Sequence, residues 1–268
     1  MAQTEQEQLA RELIQLRYEN ETAFSSKIKD RLSVVFKRLC SIGYSGSYTP
    51  FDFQFNKLNS RYEVDMAIME FSEWLFEQET EISQSMIDSI ADTYDVEIPF
   101  EAKDIINEKS FGHTTKERNR IYVNRFKYEA EAWIASAIAL GMLSSELANH
   151  FSMYMTKPYS NPVFSRASAL GGFKSTRLRS HGISFGVGRY VSAVSSLTRL
   201  ARATVANAFR SAQWSAFNSI GAVGFEVFRG SSYPCSLCDS MVGRHPLDFA
   251  ELPPYHNNCV CYAVPVIS

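Results

Sequence analysis

Near its C-terminus the chain reads Cys235-Ser-Leu-Cys238, a seventeen-residue spacer, and then His256-Asn-Asn-Cys259-Val-Cys261. Four of its five cysteines lie in that stretch. A cysteine placed by chance packs as a small apolar side chain. Two cysteine-bearing turns at domain-like spacing form instead the pattern of a four-coordinate zinc site. The reason is reach. A tight turn brings positions i and i+3 within thiolate distance of one ion, and two such turns complete a tetrahedron at about 2.3 Å per Zn–S bond. A small lobe with little apolar core takes its fixed shape from that ion.

Five residues compete for four places: Cys235, Cys238, His256, Cys259 and Cys261. The favoured set is Cys235, Cys238, His256 and Cys259, because Asn257 and Asn258 tolerate the left-handed turn that His256-x-x-Cys259 needs. Were residues 259–261 extended, Cys261 would share a face with Cys259 and could replace His256. The sequence leaves that choice open. His245, in Gly-Arg-His-Pro, reads as a solvent-exposed loop residue, and Cys40 as a buried core residue.

The zinc is expected to be structural. Pro234-Cys-Ser-Leu-Cys238 matches half of the zinc-deaminase signature, but the other half, H-x-E, is missing. His113, His150 and His181 are followed two residues later by Thr115, Ser152 and Ile183. No H-E-x-x-H occurs either. Gly182-Ile-Ser-Phe-Gly186-Val-Gly188 lacks the Gly-Lys-Ser/Thr ending of a phosphate loop. With no complete catalytic set found, the chain is read as non-enzymatic, with no small-molecule substrate.

Upstream the pattern is helical. Leu9, Leu13, Leu16, Phe24, Ile28, Leu32, Val35, Phe36 and Leu39 recur mostly at helical steps and predict a helix over 4–41, with Gly43 as its stop. A second helix is expected over 64–94 with a break near Glu81, and a third over 115–140, ended by Gly141. Ser144 is the expected N-cap of a short helix over 145–155. Residues 156–188, rich in Gly, Pro and Ser, read as a long loop or arm. A further helix is expected over 189–220. Phe225–Arg229 and Val260–Val266 alternate like partner strands, with Pro265 at an edge or a strand end. The expected fold is mainly α: long helices and an extended basic arm, with a small C-terminal zinc-braced α+β lobe of short antiparallel strands. Three segments follow: 1–155 helical, 156–188 a basic arm, and 189–268 the metal-bearing domain.

Charge is unevenly spread. The formal net charge is −2, yet residues 156–230 hold ten basic side chains against the single acid Glu226. Such a block suits a polyanion or an acidic protein surface. Arg199, Arg202 and Arg210 fall within about 80° of one another on the predicted helix, a basic ridge for a partner or a phosphate backbone. Lys174, Arg177 and Arg179 extend the same candidate surface into the arm. The polar start Met1-Ala-Gln-Thr-Glu-Gln-Glu has no apolar segment of a signal peptide behind it. The longest apolar run, 132–143, is too short for a membrane span. Synthesis in a reducing cytoplasm, with no membrane partner, is therefore expected.

Four stretches carry a resemblance. They are Ala201-Arg-Ala-Thr-Val-Ala-Asn-Ala-Phe-Arg-Ser-Ala-Gln-Trp-Ser-Ala-Phe-Asn218, Phe225-Glu-Val-Phe-Arg229, Cys235-Ser-Leu-Cys-Asp-Ser-Met-Val-Gly243, and Pro253-Pro-Tyr-His-Asn-Asn-Cys-Val-Cys261. Together they resemble the C-terminal domain of the phage minor head, or head-morphogenesis, proteins, the group typified by the F protein of phage Mu and its counterpart in phage SPP1. The likeness covers roughly residues 195–266. The chain departs from it at Arg202-Ala203-Thr204-Val205, where the family often has Arg-Thr-Glu, and at Phe228, where it often has Trp. The resemblance implies a few-copy virion protein at the capsid interior or portal vertex, made in the host cytoplasm. Its implied partners are the portal protein and the procapsid, with packaged DNA as a further one. Two alternatives remain at this stage, a zinc-ribbon nucleic-acid-binding protein and a phage-encoded effector or toxin enzyme.

Overall fold

A computed structural model describes residues 3–46, 53–158, 161, 162, 166, 185, 190–248 and 251–267. The described residues are mainly helical, with one small antiparallel sheet near the C-terminus. Most of the 156–188 segment, including Lys174, Arg177 and Arg179, lies outside the described residues.

The apolar periodicity becomes two long helices, α1 (Gln3–Tyr44) and α2 (Arg61–Tyr94). No proline or glycine interrupts α2, so its i→i−4 hydrogen-bond ladder runs through Glu81 without the expected break. Gly43 does not stop α1 either; it lies within the last turn. A short helix, α3 (Ala102–Asn107), opens with a capping box between Glu101 and Asp104. α4 (Thr115–Ala139) opens with another, in which Thr114 Oγ1 accepts from the Glu117 amide at 3.2 Å. Gly141, at φ +69°, ends it as expected. The expected single helix over 145–155 is instead two, α5 (Ser144–Asn149) and α6 (Phe151–Met155). Ser144 is the first helical residue and Leu143 occupies the cap, while non-helical backbone at His150 (φ −111°, ψ 33°) parts the two.

α7 (Ala193–Ser219) begins later than the pattern predicts, where Ser192 Oγ accepts from the Ser195 amide at 3.1 Å. Beyond it come β1 (Gly224–Phe228), the one-turn helix α8 (Ser236–Ser240), β2 (Gly243–Pro246) and β3 (Tyr262–Val266). The sheet order is β2-β1-β3, antiparallel throughout. Pro265 lies on an edge strand, opposite Phe225, where a sheet tolerates a residue without an N–H. β2 was not expected. It takes His245 out of the loop foreseen for it and half-buries it, with its ring 5.4 Å from that of Phe225.

The chain divides into two compact units, and neither follows the contiguous segments 1–155, 156–188 and 189–268. Unit 1 comprises Met1–Ser25, Gln78–Glu108 and Ala201–Ser268; unit 2 comprises Ser26–Glu77 and Lys109–Leu200. Long helices are the reason, since α1, α2 and α7 each outrun one hydrophobic core and contribute residues to both. Unit 1 buries Leu13, Phe24, Ile87, Ile90, Phe209, Phe217, Phe225 and Val227, with Tyr94 edge-on to Phe217 at 5.5 Å. Unit 2 buries Ile28, Leu32, Phe36, Phe71, Phe126 and Trp133, with Phe36 against Phe151 at 5.7 Å and Trp133 against Tyr154 at 4.6 Å. Cys40 is fully buried there, and burial pushes its thiol up to about 12.

Gly43 has a packing role in unit 2. A Cβ at that position would lie 2.8 Å from Cγ2 of Ile134 and 3.0 Å from the Phe53 ring. Glycine to alanine inside an exposed helix gains about 1 kcal/mol. Here the β-branched Ile134 has little freedom to yield. Gly43→Ala is therefore expected to lower the urea midpoint of unfolding rather than raise it.

Candidate metal centre

Two turns and the lead-in to an edge strand deliver the five candidate ligands, all within unit 1. Cys235 precedes α8 in extended conformation (φ −150°), and its carbonyl accepts from the Asp239 amide at 2.8 Å. That single turn of helix carries Cys238 back toward Cys235. In the second turn the Cys259 amide donates to the His256 carbonyl at 3.0 Å, and Asn258 takes the left-handed conformation (φ +67°) expected of this asparagine pair. Cys261 then follows on the approach to β3.

The ligand atoms form two overlapping trios, Cys235–Cys238–His256 and Cys238–Cys259–Cys261, each with its members within 4.8 Å of one another. Nε2 of His256 lies 3.3 Å from Sγ of Cys235 and 3.0 Å from Sγ of Cys238, and the Cys238 and Cys259 sulfurs are 3.8 Å apart. Thus all five expected residues converge, and Cys238 is common to both trios. Cys238, Cys259 and Cys261 are buried, Cys235 is half-buried and His256 is exposed. The cluster can hold a metal ion, with one side facing the protein and the other facing solvent.

Electrostatics divide the thiols. A hydrogen bond from the Cys261 thiol lowers Cys259 to about 5, against the opposing effect of burial. Donating that bond raises Cys261. Burial, then the hydrogen bond with Cys235, pushes Cys238 up to about 12. Cys235 is lowered, chiefly by the Cys238 amide. Burial opposes a charge on His256, but its hydrogen bond to the Asn257 carbonyl and the nearby Cys259 thiolate outweigh that and raise it. The surroundings thus favour the thiolate forms of Cys235 and Cys259, and a divalent ion would do the same for the others.

Residues on two helices hold the second turn. Arg17 of α1 donates to the Cys259 carbonyl and pairs with Glu21 at 2.5 Å. Both Arg17 and Glu21 are only 1% exposed. Arg202 of α7 donates to Oδ1 of Asn258 at 2.5 Å, lies 3.5 Å from Glu21, and stands over the Tyr18 ring. Arg202 was expected on an outward basic ridge; it is instead spent within the protein. Arg210 is likewise half-buried, bonded to Asn207 at 2.5 Å, and burial lowers its pKa. Arg199 belongs to unit 2, on the same helix, and is half-buried. His245 stands apart from the ligand cluster, its Nε2 at 2.9 Å from the Met241 carbonyl.

Arg17 and Glu21 were not anticipated, although the sequence holds a signal. Leu13, Arg17, Glu21, Phe24 and Ile28 follow one another at steps of three and four, so the charged pair sits inside the buried stripe. A second string also carries possible chemistry: Gly182-Ile-Ser-Phe-Gly186 spells G-x-S-x-G. That string presents a nucleophile only on a strand-to-helix elbow, and apart from Phe185 it lies outside the described residues.

No protein-family model, curated protein or solved structure matches the chain. Among the described residues no helix is long and apolar enough to cross a membrane.

Two outcomes follow from the geometry. Cys238→Ser removes the ligand shared by both trios and should abolish metal binding measured by equilibrium dialysis and elemental analysis. Cys235→Ser or Cys261→Ser should only weaken it. Gly230→Ala would put a Cβ 1.7 Å from the Val260 carbonyl oxygen. It should therefore displace the segment between Cys259 and Cys261 and lower metal affinity without touching a ligand.

Proposed function

We propose that this chain is a structural phage minor head protein whose C-terminal lobe is braced by zinc. One observation carries the reading. The His256-Asn-Asn-Cys259-Val-Cys261 segment folds back onto the Cys235-x-x-Cys238 turn beside a three-stranded sheet, and five soft donors meet there. Thiolates with one imidazole suit zinc, which accepts a tetrahedral set without redox chemistry. The order of α7, β1, C-x-x-C turn, H-x-x-C-x-C turn and β3 is also the order on which the resemblance to head-morphogenesis proteins rests.

In this role Cys235, Cys238, Cys259 and either His256 or Cys261 would hold the ion, and the ion would supply rigidity. A lobe fixed in this way offers a stable surface to the portal protein or the inner face of a procapsid. Nucleic-acid binding through Arg199, Arg202 and Arg210 gains less support, because Arg202 and Arg210 already have partners inside the protein. We therefore place the protein in the virion, bound to protein partners.

Co-expression with the portal and major capsid proteins of the same genome, followed by sedimentation, tests the proposal. The chain should travel with procapsids and be captured by the portal protein, and protein purified without chelator should carry one zinc per chain. Absence from the procapsid fraction would overturn the assembly role, and absence of stoichiometric zinc would overturn the metal assignment.

A further inference from the structure

We infer that Arg17 and Arg202, joined through Glu21, are the outer shell of the metal centre, and that they couple metal binding to the seating of the first part of α1. This rests on the metal reading above.

Neither arginine supplies a ligand, yet each grips the turn that does. Arg17 reaches the carbonyl of Cys259 itself, and Arg202 reaches the side chain of the preceding Asn258, whose left-handed backbone shapes the turn. Glu21 lies between them, 2.5 Å from one guanidinium and 3.5 Å from the other. Arg17 and Glu21 come from α1 and Arg202 from α7, so the turn is clamped from both helices together.

The charges also match. With His256 as the fourth ligand, three cysteinates around a divalent cation leave one negative charge in excess. Two guanidiniums and one carboxylate leave one positive charge in excess. Buried charges persist when they are paired and hydrogen-bonded, and outer-shell partners of this kind tune metal affinity by 10–100-fold. With the cation lost, the bonds that join the second cysteine turn to the first are gone, and the Cys259 carbonyl and the Asn258 side chain are held from the helices alone. A shift of that turn takes an acceptor from Arg17, which stays buried beside Glu21. Metal removal therefore loosens the part of α1 within unit 1, residues 3–25, before it affects the rest of that helix.

Zinc affinity of the full chain is measured by competition with a chromophoric chelator for the parent, R17M, R202M and R202K. R17M and R202M should each bind at least tenfold more weakly at unchanged stoichiometry, and R202K should recover part of the loss. The cobalt-substituted spectra should keep the parent band shape, since the ligands are the same. Hydrogen exchange over residues 3–25 should rise on chelation. Affinities within twofold of the parent, or exchange there that ignores chelation, would overturn the inference while leaving the metal site intact. A parent chain that binds no zinc would overturn the metal reading and this inference with it. Should R17M fail to fold, R202M decides, because that side chain is on the half-buried rim.

Discussion

A guanidinium taken out of water must find its hydrogen bonds inside the protein, and Arg17 imposes that demand on unit 1. Transfer of such a charge costs several kcal/mol unless opposite charge and acceptors replace the lost hydration. Here Glu21, one helical turn away, supplies the charge. The Cys259 carbonyl supplies an acceptor, and the face of Phe209 lies 5.8 Å from the guanidinium carbon. Each partner comes from a different part of the chain, so burying Arg17 draws α1, α7 and the second cysteine turn to one place. Removing one partner of such a set costs about 3–5 kcal/mol, most of it the penalty of the charge left behind.

The sheet adds a second set of contacts to α1. β1 is its central strand, and β3 carries Tyr262, whose ring stacks on Phe228 at 5.4 Å. The Tyr262 hydroxyl donates to Glu7 and accepts from Arg11, both on α1. The strand that follows the last cysteine is thus fastened to the same helix that holds the Cys259 carbonyl. A cation bound at Cys238 would join two turns already aligned by these contacts, so less ordering would remain for the metal to impose. His256 and Cys235, on the solvent side, are the donors with freedom to adjust.

Unit 2 illustrates a different economy. One of its buried charged residues, Glu129, accepts from the Tyr190 hydroxyl at 2.5 Å and from the Ala193 amide at 3.0 Å, at the first residue of α7. A carboxylate at a helix N-terminus meets unsatisfied amides and the positive end of the helix dipole. The start of α7 is therefore set by a residue of α4 as well as by Ser192. That explains why apolar periodicity alone places the start too early: the pattern marks which face is buried, whereas the cap marks where helix begins.

Local pattern carried much of this protein. Apolar residues at steps of three and four determined α1, α2, α4 and α7, because a helix exposes that spacing as one face whatever it packs against. Cysteine spacing determined the cluster of candidate ligands, because two turns fix how closely their own donors can approach. Other features needed partners that no short window contains. Gly43 reads as a stop until Ile134 and Phe53 crowd its hydrogen. His245 reads as loop until β1 pairs with its strand. Arg202 reads as a solvent-facing cation until Glu21 and Asn258, far away in the chain, come within reach of it. Sequence determined what each segment could become on its own; only tertiary structure decided which charges were buried and against what, because desolvation depends on neighbours the chain brings together by folding.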